Sequence, residues 1–198
     1  MATDTSKVYV PAPPKVKGVI HRAPLGTTLP VTATEDLDAA FKDLGGISDA
    51  GITNAMSRDV QKIKDFGGDT IATPQSDYTE TLQVEFVEST RLEVLKTVFG
   101  DDNVTFTAAT STKGAQIVVD HNSETLPKST YVLDTVAGKG LRRQIAAIAQ
   151  PTTVGDVVQV NNDIVKYVVT FETFAYVDGS GKKFNVREIL DDGIFSGS

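Results

Sequence analysis

The side chains able to do acid–base, nucleophilic or metal chemistry are few and scattered in this sequence. Histidine occurs twice, as His21 and His121, in unrelated segments. Neither a G-x-S-x-G elbow nor an H-E-x-x-H pair is present. Cysteine is absent, which excludes disulfides, thiolate catalysis and cysteine-ligated metals. The sequence therefore predicts no catalytic, cofactor-binding or metal site, and we expect a protein that is not an enzyme.

Carboxylates are the one reactive group in good supply. They lie in two acidic turns and along one segment: Asp101, Asp102, Asp191, Asp192, Glu80, Glu85 and Glu88. A glycosidase needs two facing carboxylates roughly 5–10 Å apart, and the sequence leaves such a pair open. Acidic turns and a solvated sheet face are the favoured interpretation, because charged side chains are mostly exposed.

Composition sets the broad class. The chain has 198 residues, 40% of them hydrophobic and 23% charged, which is typical of a soluble globular protein. The net charge of −7 argues against a DNA-binding surface, which would need clustered Lys and Arg. No apolar run approaches 18 residues and the first residues do not form a signal peptide, so we expect no membrane insertion. The absence of cysteine fits synthesis in a reducing cytoplasm.

Residues 77–88 organise the chain, because their side chains alternate as in a half-buried strand. One face carries Tyr78, Leu82, Val84 and Phe86, and the other carries Thr79, Thr81, Gln83 and Glu85. The spacing of apolar side chains then changes from that of a strand to that of a helix at about residues 90–99. Thr90 and Glu93 form a capping-box pattern, and Gly100 stands where a helix ends.

The rest of the sequence predicts short strands and turns in a single domain, residues 1–198. We expect a mainly β fold of two packed sheets, a sandwich or barrel, with one flanking helix. A proline-rich arm covers residues 1–15, a polar, weakly patterned loop or hairpin covers residues 45–68, and a loose tail covers residues 191–198. Residues 164–176 predict the longest strand, and Pro151 is expected to end the strand before it.

Several short motifs follow one another in a distinctive order. They read GTTLP at 26–30, LDAAF at 37–41, LGGISDAGIT at 44–53, IKDFGG at 63–68, VEFVE at 84–88, LEVL at 92–95 and FG at 99–100. Their order and spacing resemble the major tail tube protein of bacteriophages with long non-contractile tails, especially phages of actinobacteria. The resemblance covers about residues 16–195.

The resemblance implies a structural role in the virion. Members of that family have two β-sheets and one flanking helix, and assemble in the host cytoplasm as stacked hexameric rings around a tape measure protein. Tail terminator and distal tail proteins would be further partners. The genome would pass through the tube without specific binding, and no cofactor is implied.

The same resemblance assigns residues to surfaces. Residues 70–88 and 164–176 would be channel-wall strands, with helix 91–99 outside and the arm and tail bridging subunits. Candidate lumen-facing residues are Thr79, Glu80, Thr81, Gln83 and Glu85. Candidate residues of an inter-ring loop are Asp49, Asn54, Arg58, Asp59, Lys62 and Lys64. An acidic wall would repel phosphate and release no counterions, although ordinary outer-surface polarity explains the same pattern.

Other functions stay open at this point. The chain could be another ring-forming component of the same fold, such as a tail terminator or a secreted tube protein. A β-sandwich binding module is disfavoured because the chain has no tryptophan for an aromatic platform. A hydrolase would use paired carboxylates such as Glu80 and Glu85, but no substrate is suggested.

Overall fold

The mainly β fold class is confirmed by a computed structural model that describes residues 3–194. Most of the regular structure is β-strand, beside one α-helix and two 3₁₀ turns. The strands are β1 (Ile20–Ala23), β2 (Lys42–Asp43), β3 (Ile47–Val60), β4 (Ile63–Lys64), β5 (Thr70–Ala72), β6 (Gln75–Phe86), β7 (Val104–Thr107), β8 (Gln116–Val119), β9 (Ser129–Ala137), β10 (Gly140–Val154), β11 (Tyr167–Thr173), β12 (Tyr176–Val177), β13 (Lys183–Phe184) and β14 (Val186–Asp191). The helix α1 is Leu92–Phe99, and two single 3₁₀ turns are Thr5–Lys7 and Asp101–Asn103.

Eight strands form one antiparallel sheet in the order β2-β1-β9-β10-β11-β6-β3, with β14 also paired to β10. The remaining strands form three two-stranded pairs, β4-β5, β7-β8 and β12-β13. The long β10 pairs with β9 and β14 along its first part and with β11 along its last. The prediction that Pro151 ends this strand is wrong. A register shift between Pro151 and Thr153 lets the strand continue, since a bulge tolerates a proline that cannot donate.

The sheet curls around one apolar core. Strands near both ends of the sheet contribute to a single cluster, which includes Ile20 of β1, Leu133 of β9, Phe171 of β11 and Phe86 of β6. Ile47 and Ile52 of the last strand, β3, pack against the same cluster. The two halves of the sheet therefore cover a common interior, as expected for a sandwich with a flanking helix.

The helix closes this interior on the same side of the sheet. Val94 and Val98 of α1 are buried in the cluster. The helix begins later than predicted and its capping box does not form, because Arg91 is the N-cap and no side chain caps it. Gly100 ends the helix as predicted, with a φ of +96° that favours glycine.

The other face of β1, β9 and β10 is covered by residues 24–41. Val132 and Ile145 pack there with Phe41. The buried Arg143 makes two hydrogen bonds of 2.8 Å to Asp134 and donates to two backbone carbonyls of this segment. Arg143 thus stands among apolar residues of β10 and holds the covering segment, residues 24–41, in place.

Both ends of the chain differ from the sequence prediction. The arm is not simply extended, because it contains a 3₁₀ turn and Ala12 pairs with Val136 through hydrogen bonds of 2.8 and 2.9 Å. The predicted tail starts inside β14, which ends at Asp191. Residues 1–2 of the arm and 195–198 of the tail lie outside the described residues. None of the helices described is long and apolar enough to cross a membrane.

Candidate functional site: a polar sheet face and a projecting hairpin

β6 separates its side chains between the core and the exterior. Leu82, Val84 and Phe86 are buried in the core cluster. Thr79, Thr81, Gln83 and Glu85 point to the opposite face, where they are exposed or half-buried. The structure therefore brings four of the five candidate lumen-facing residues together on one side of the sheet.

Neighbouring strands extend this side into a broader surface. Thr53 of β3 and Thr170 of β11 both pair with Gln83, and Thr153 of β10 pairs with Thr170, so these residues form one row across four strands. We call this surface the polar face. Its residues are Thr53, Ala55, Ser57, Asp59, Asp77, Thr79, Thr81, Gln83, Glu85, Thr153, Val168, Thr170 and Glu172.

The polar face has an acidic balance. It carries four carboxylates, and Asp59 of β3 stands directly opposite Asp77 of β6. Lys166 is the nearby cation, with its Nζ 3.5 Å from Glu85. The charges of Asp163 and Glu85 raise the pKa of Lys166. Since the remaining carboxylates of this face make no ion pair among the described residues, phosphate would be repelled here.

Glu80 does not belong to the polar face, so its assignment as lumen-facing is wrong. Its position in β6 shares the phase of Leu82, and it is only 5% exposed. The carboxylate accepts hydrogen bonds from Asn54 (3.1 Å) and from the Tyr78 hydroxyl (2.9 Å). Burial, and secondly this hydrogen bond to Glu80, raise the pKa of Tyr78. Glu80 therefore braces β3 against β6 from the core side.

The polar face lies on four neighbouring strands of the eight-stranded sheet, and two edges of this four-stranded part carry no partner strand in residues 3–194. β3 pairs with β6 alone, so its other edge is unpaired. β10 pairs with β9 only as far as Ala149, so its last residues are unpaired on that side. Unpaired N–H and C=O groups in a row are a template for another strand.

β3 and β6 extend beyond the core as a two-stranded hairpin, and the short strands β4 and β5 form its tip. We call this segment the projecting hairpin. Every residue from 55 to 77 is exposed. Its large apolar side chains are nevertheless numerous: Met56, Val60, Ile63, Phe66 and Ile71. Phe66, at the turn, makes no contact that shields it, with an exposure of 108%. A concentration of exposed apolar side chains along one segment is typical of an interaction surface.

The candidate inter-ring residues are divided between this hairpin and the sheet body. Asp59, Lys62 and Lys64 are exposed on the hairpin, and the guanidinium of Arg58 lies 4.5 Å from the Tyr78 ring centre. Asn54 faces Glu80, whereas Asp49 lies near the start of β3, at the other end of the strand. The six residues therefore do not form one contact surface.

Sequence reasoning missed the apolar side chains of the hairpin. The pattern that could have indicated them is an aromatic residue just before a turn, Phe66-Gly67-Gly68, inside a polar segment. It also missed Asp77 and Glu172, because their place on the polar face depends on strand pairing that periodicity does not reveal.

Comparison with known proteins adds no family to these observations. No protein-family model matches the chain, and no curated protein matches it. Within the described part of the chain, no three histidine or acidic side chains are grouped so as to hold a metal ion. The candidate functional surfaces described above are the polar face, its two unpaired edges and the projecting hairpin.

Proposed function

We propose that this protein is a self-assembling ring subunit of a phage tail tube. The observation that carries the proposal is the end of the eight-stranded sheet formed by β3, β6, β11 and the last residues of β10, which has an acidic polar face and an unpaired edge on each side. By the resemblance described above, six copies would close a ring, and rings would stack around a tape measure protein between terminator and distal tail proteins.

The direction of the strands supports ring closure. β3, β6, β11 and β10 alternate in direction because each pair is antiparallel. The unpaired edges of β3 and β10 therefore run in opposite directions. A second copy that sets its β3 beside β10 of the first would continue the same antiparallel ladder. Because the two edges differ, this contact is head-to-tail, and repetition closes a ring when the rotation permits.

The polar face supports the role of a conduit. In a ring closed through these edges, the four-stranded parts of the sheets join into a barrel with the polar faces on one side and the helices on the other. Thr79, Thr81, Gln83 and Glu85 would line the channel. Threonine, glutamine and carboxylate groups offer DNA phosphates no cation to bind, so no counterions are released and the genome slides past.

Cysteine cross-linking tests the edge contact directly, because the chain has no cysteine of its own. Thr53 and Thr153 end one row across the sheet, three strand spacings or about 14 Å apart within one copy. That distance is too long for a disulfide, so any bond in T53C/T153C joins two copies. We expect oxidation to give a denaturant-resistant ladder of bands that stops at a closed ring of six.

Two controls identify the type of contact. T53C and T153C alone should give no dimer, because a head-to-tail contact does not bring identical residues together. T105C/T153C places the first cysteine on exposed β7 and should also give no ladder. Negative-stain images should show rings or tubes in the wild type. A protein that stays monomeric at all concentrations, or cross-linking by T53C alone, would overturn the proposal.

A further inference from the structure

A crevice of about 750 Å³ opens beside the first residues of β3. Three parts of the chain line it: the N-terminal arm, the beginning of β3, and the paired strands β9 and β10. Its charged lining residues are one acid, Asp49, and one base, Arg142. Most of the lining is apolar and includes Pro11, Pro13, Val19, Ile47, Ala50 and Ile52.

The lip of the crevice belongs to an unpaired strand edge. β3 separates from β6 at a register shift between Ile47 and Ile52. Gly51 has a φ of +70° within this bulge, a conformation that favours glycine. Residues 48–51 therefore form the lip without pairing to β6. The free edge of β3 at this lip is the edge that would meet β10 of the next copy in a ring.

The β10–β11 loop, residues 155–166, presents apolar side chains to solvent. Residues 156–164 are all exposed, and they include Val158 and Val160. Val154, just before the loop, packs against the core cluster. Because side chains alternate along an extended chain, Val158 and Val160 have the phase of Val154 when the loop is extended. Their side chains then point to the core side of the sheet.

The proposed ring contact brings this loop to the crevice of the next copy. It sets Thr153 beside Thr53, and each step forward along β10 is then a step back along β3, because the two strands are antiparallel. Val158 comes level with Ser48, in the lip of the crevice. Val160 follows at the next position of the same phase. Both side chains therefore reach the side of β3 on which the crevice opens.

We propose that Val158 and Val160 of one copy fill the crevice of the neighbouring copy in the same ring. The partner is a second copy because the loop continues the strand that the ring contact places beside β3, and both surfaces are apolar. Charge does not choose the partner, since Asp49 and Arg142 balance. The inference rests on the proposed function, and it makes each subunit complete the apolar interior of its neighbour.

Two single-cysteine variants test the contact. A50C places a thiol in the crevice lining and V158C places one on the loop. The proteins are purified separately, mixed while unassembled, concentrated and oxidised with copper phenanthroline, and we expect a heterodimer on a denaturing gel. A50C with V118C is the matched control, because Val118 on the β7–β8 pair is 53% exposed and Val158 is 58% exposed. Equal yields from the two mixtures would overturn the inference.

Loop variants measure what the contact contributes to assembly. V158S/V160S should raise the concentration at which half of the protein sediments as rings by at least about tenfold, because two valines are no longer buried. V118S should leave that concentration unchanged. Both variants should keep the urea midpoint of the unassembled protein, since all three valines are exposed there. Wild-type assembly by V158S/V160S would contradict the contact.

Maleimide labelling of A50C identifies the occupant of the crevice. Ring formation should slow the labelling by an order of magnitude or more. In A50C/V158S/V160S, assembled at a higher concentration, labelling should stay fast. Slow labelling in both proteins would show that another segment covers the crevice, and would overturn the inference.

The outcome is read beside the T53C/T153C ladder, which tests the strand-edge contact. A ladder without the A50C–V158C heterodimer would overturn the loop–crevice contact and leave the ring subunit standing. A heterodimer without a ladder supports the loop–crevice contact and counts against the β3–β10 edge contact alone. Neither product would overturn both.

Discussion

β6 passes through two different environments along its length. Its last residues, Leu82 to Phe86, pair on both sides and bury alternate side chains in the core. Its first residues pair only with β3 and are exposed on both faces. The body of the sheet is thus stabilised by core packing, whereas the projecting hairpin is stabilised only by the hydrogen bonds between β3 and β6. Since a two-stranded hairpin is marginal in water, its order should depend on a neighbouring copy.

The largest expected difference between the two regions is in amide hydrogen exchange. In the unassembled protein, amides of residues 55–77 should exchange with an opening free energy near zero, and those of Leu82 to Phe86 with the full stability of about 5–15 kcal/mol. Assembly should slow exchange in the hairpin by orders of magnitude. Equal protection of both regions in the monomer would remove the distinction.

Two phenylalanines test the same contrast by mutation. Phe86 is fully buried, so Phe86→Ala should lower the free energy of unfolding by about 3–5 kcal/mol through lost burial and a cavity. Phe66→Ala should change it by less than about 0.5 kcal/mol, because the side chain is exposed. Urea denaturation of unassembled protein measures both. A large loss in Phe66→Ala would show that the hairpin folds back on the body.

Glu80 joins the two regions, and its removal should have an intermediate effect. Glu80→Ala leaves the Asn54 amide and the Tyr78 hydroxyl without their acceptor, at a cost of about 1–3 kcal/mol. Glu80→Gln keeps an acceptor oxygen and should recover part of the loss. Urea denaturation gives the cost, and faster amide exchange at Thr53 and Asn54, which pair with Gln83 and Leu82, would locate it at the root of the hairpin. Identical behaviour of the two variants would contradict this role.

The smallest effect is expected at the body end of β3, where Glu88 accepts a hydrogen bond from Arg91 (2.8 Å) and one from the Gly46 amide (2.7 Å). The Arg91 bond first, and then the Gly46 bond, hold the pKa of Glu88 below its ordinary value of 4.5. A lowered folded-state pKa means that the stabilisation is complete above the unfolded value and is lost as the pH falls through the folded value.

Glu88→Gln should therefore lose about 0.2–1 kcal/mol at neutral pH, a small value because the side chain is 44% exposed and screened by solvent. The difference from wild type should shrink as the pH falls below about 4, and urea midpoints at several pH values measure it. Asp49→Asn changes a nearby exposed carboxylate and serves as the control, because it should leave the urea midpoint at neutral pH unchanged.

The sequence predicted the parts of the fold that depend on local periodicity. The alternation of β6 identified its buried and exposed faces, and Gly100 marked the end of α1. The prediction placed Glu80 on the wrong face, although its position in β6 has the phase of the buried Leu82. The buried carboxylate of Glu80 is stabilised by hydrogen bonds from Asn54 and Tyr78. Asn54 lies beside Glu80 because of the register between β3 and β6, and one sequence does not reveal that register.

Features that depend on pairing between strands far apart in the sequence could not be predicted from it. The continuation of β10 through Pro151 required a bulge opposite β11, and the predicted long strand at 164–176 shortened to β11, Tyr167–Thr173. Residues 53–66 are mostly polar, so the sequence did not point to an apolar surface there. Ile63 and Phe66 are nevertheless both exposed at the tip of the hairpin. Such surfaces become visible only when the absence of intramolecular contacts is known.

The pairing of β3, β6 and β11 also has a mechanical consequence. Hydrogen bonds in antiparallel pairs lie across the strands. Tension applied along β6 loads the whole ladder simultaneously in shear, whereas tension between β3 and β6 peels bonds apart one after another. The molecule should thus rupture at much higher force when pulled lengthwise than sideways, making it stiff to extension yet able to yield in width.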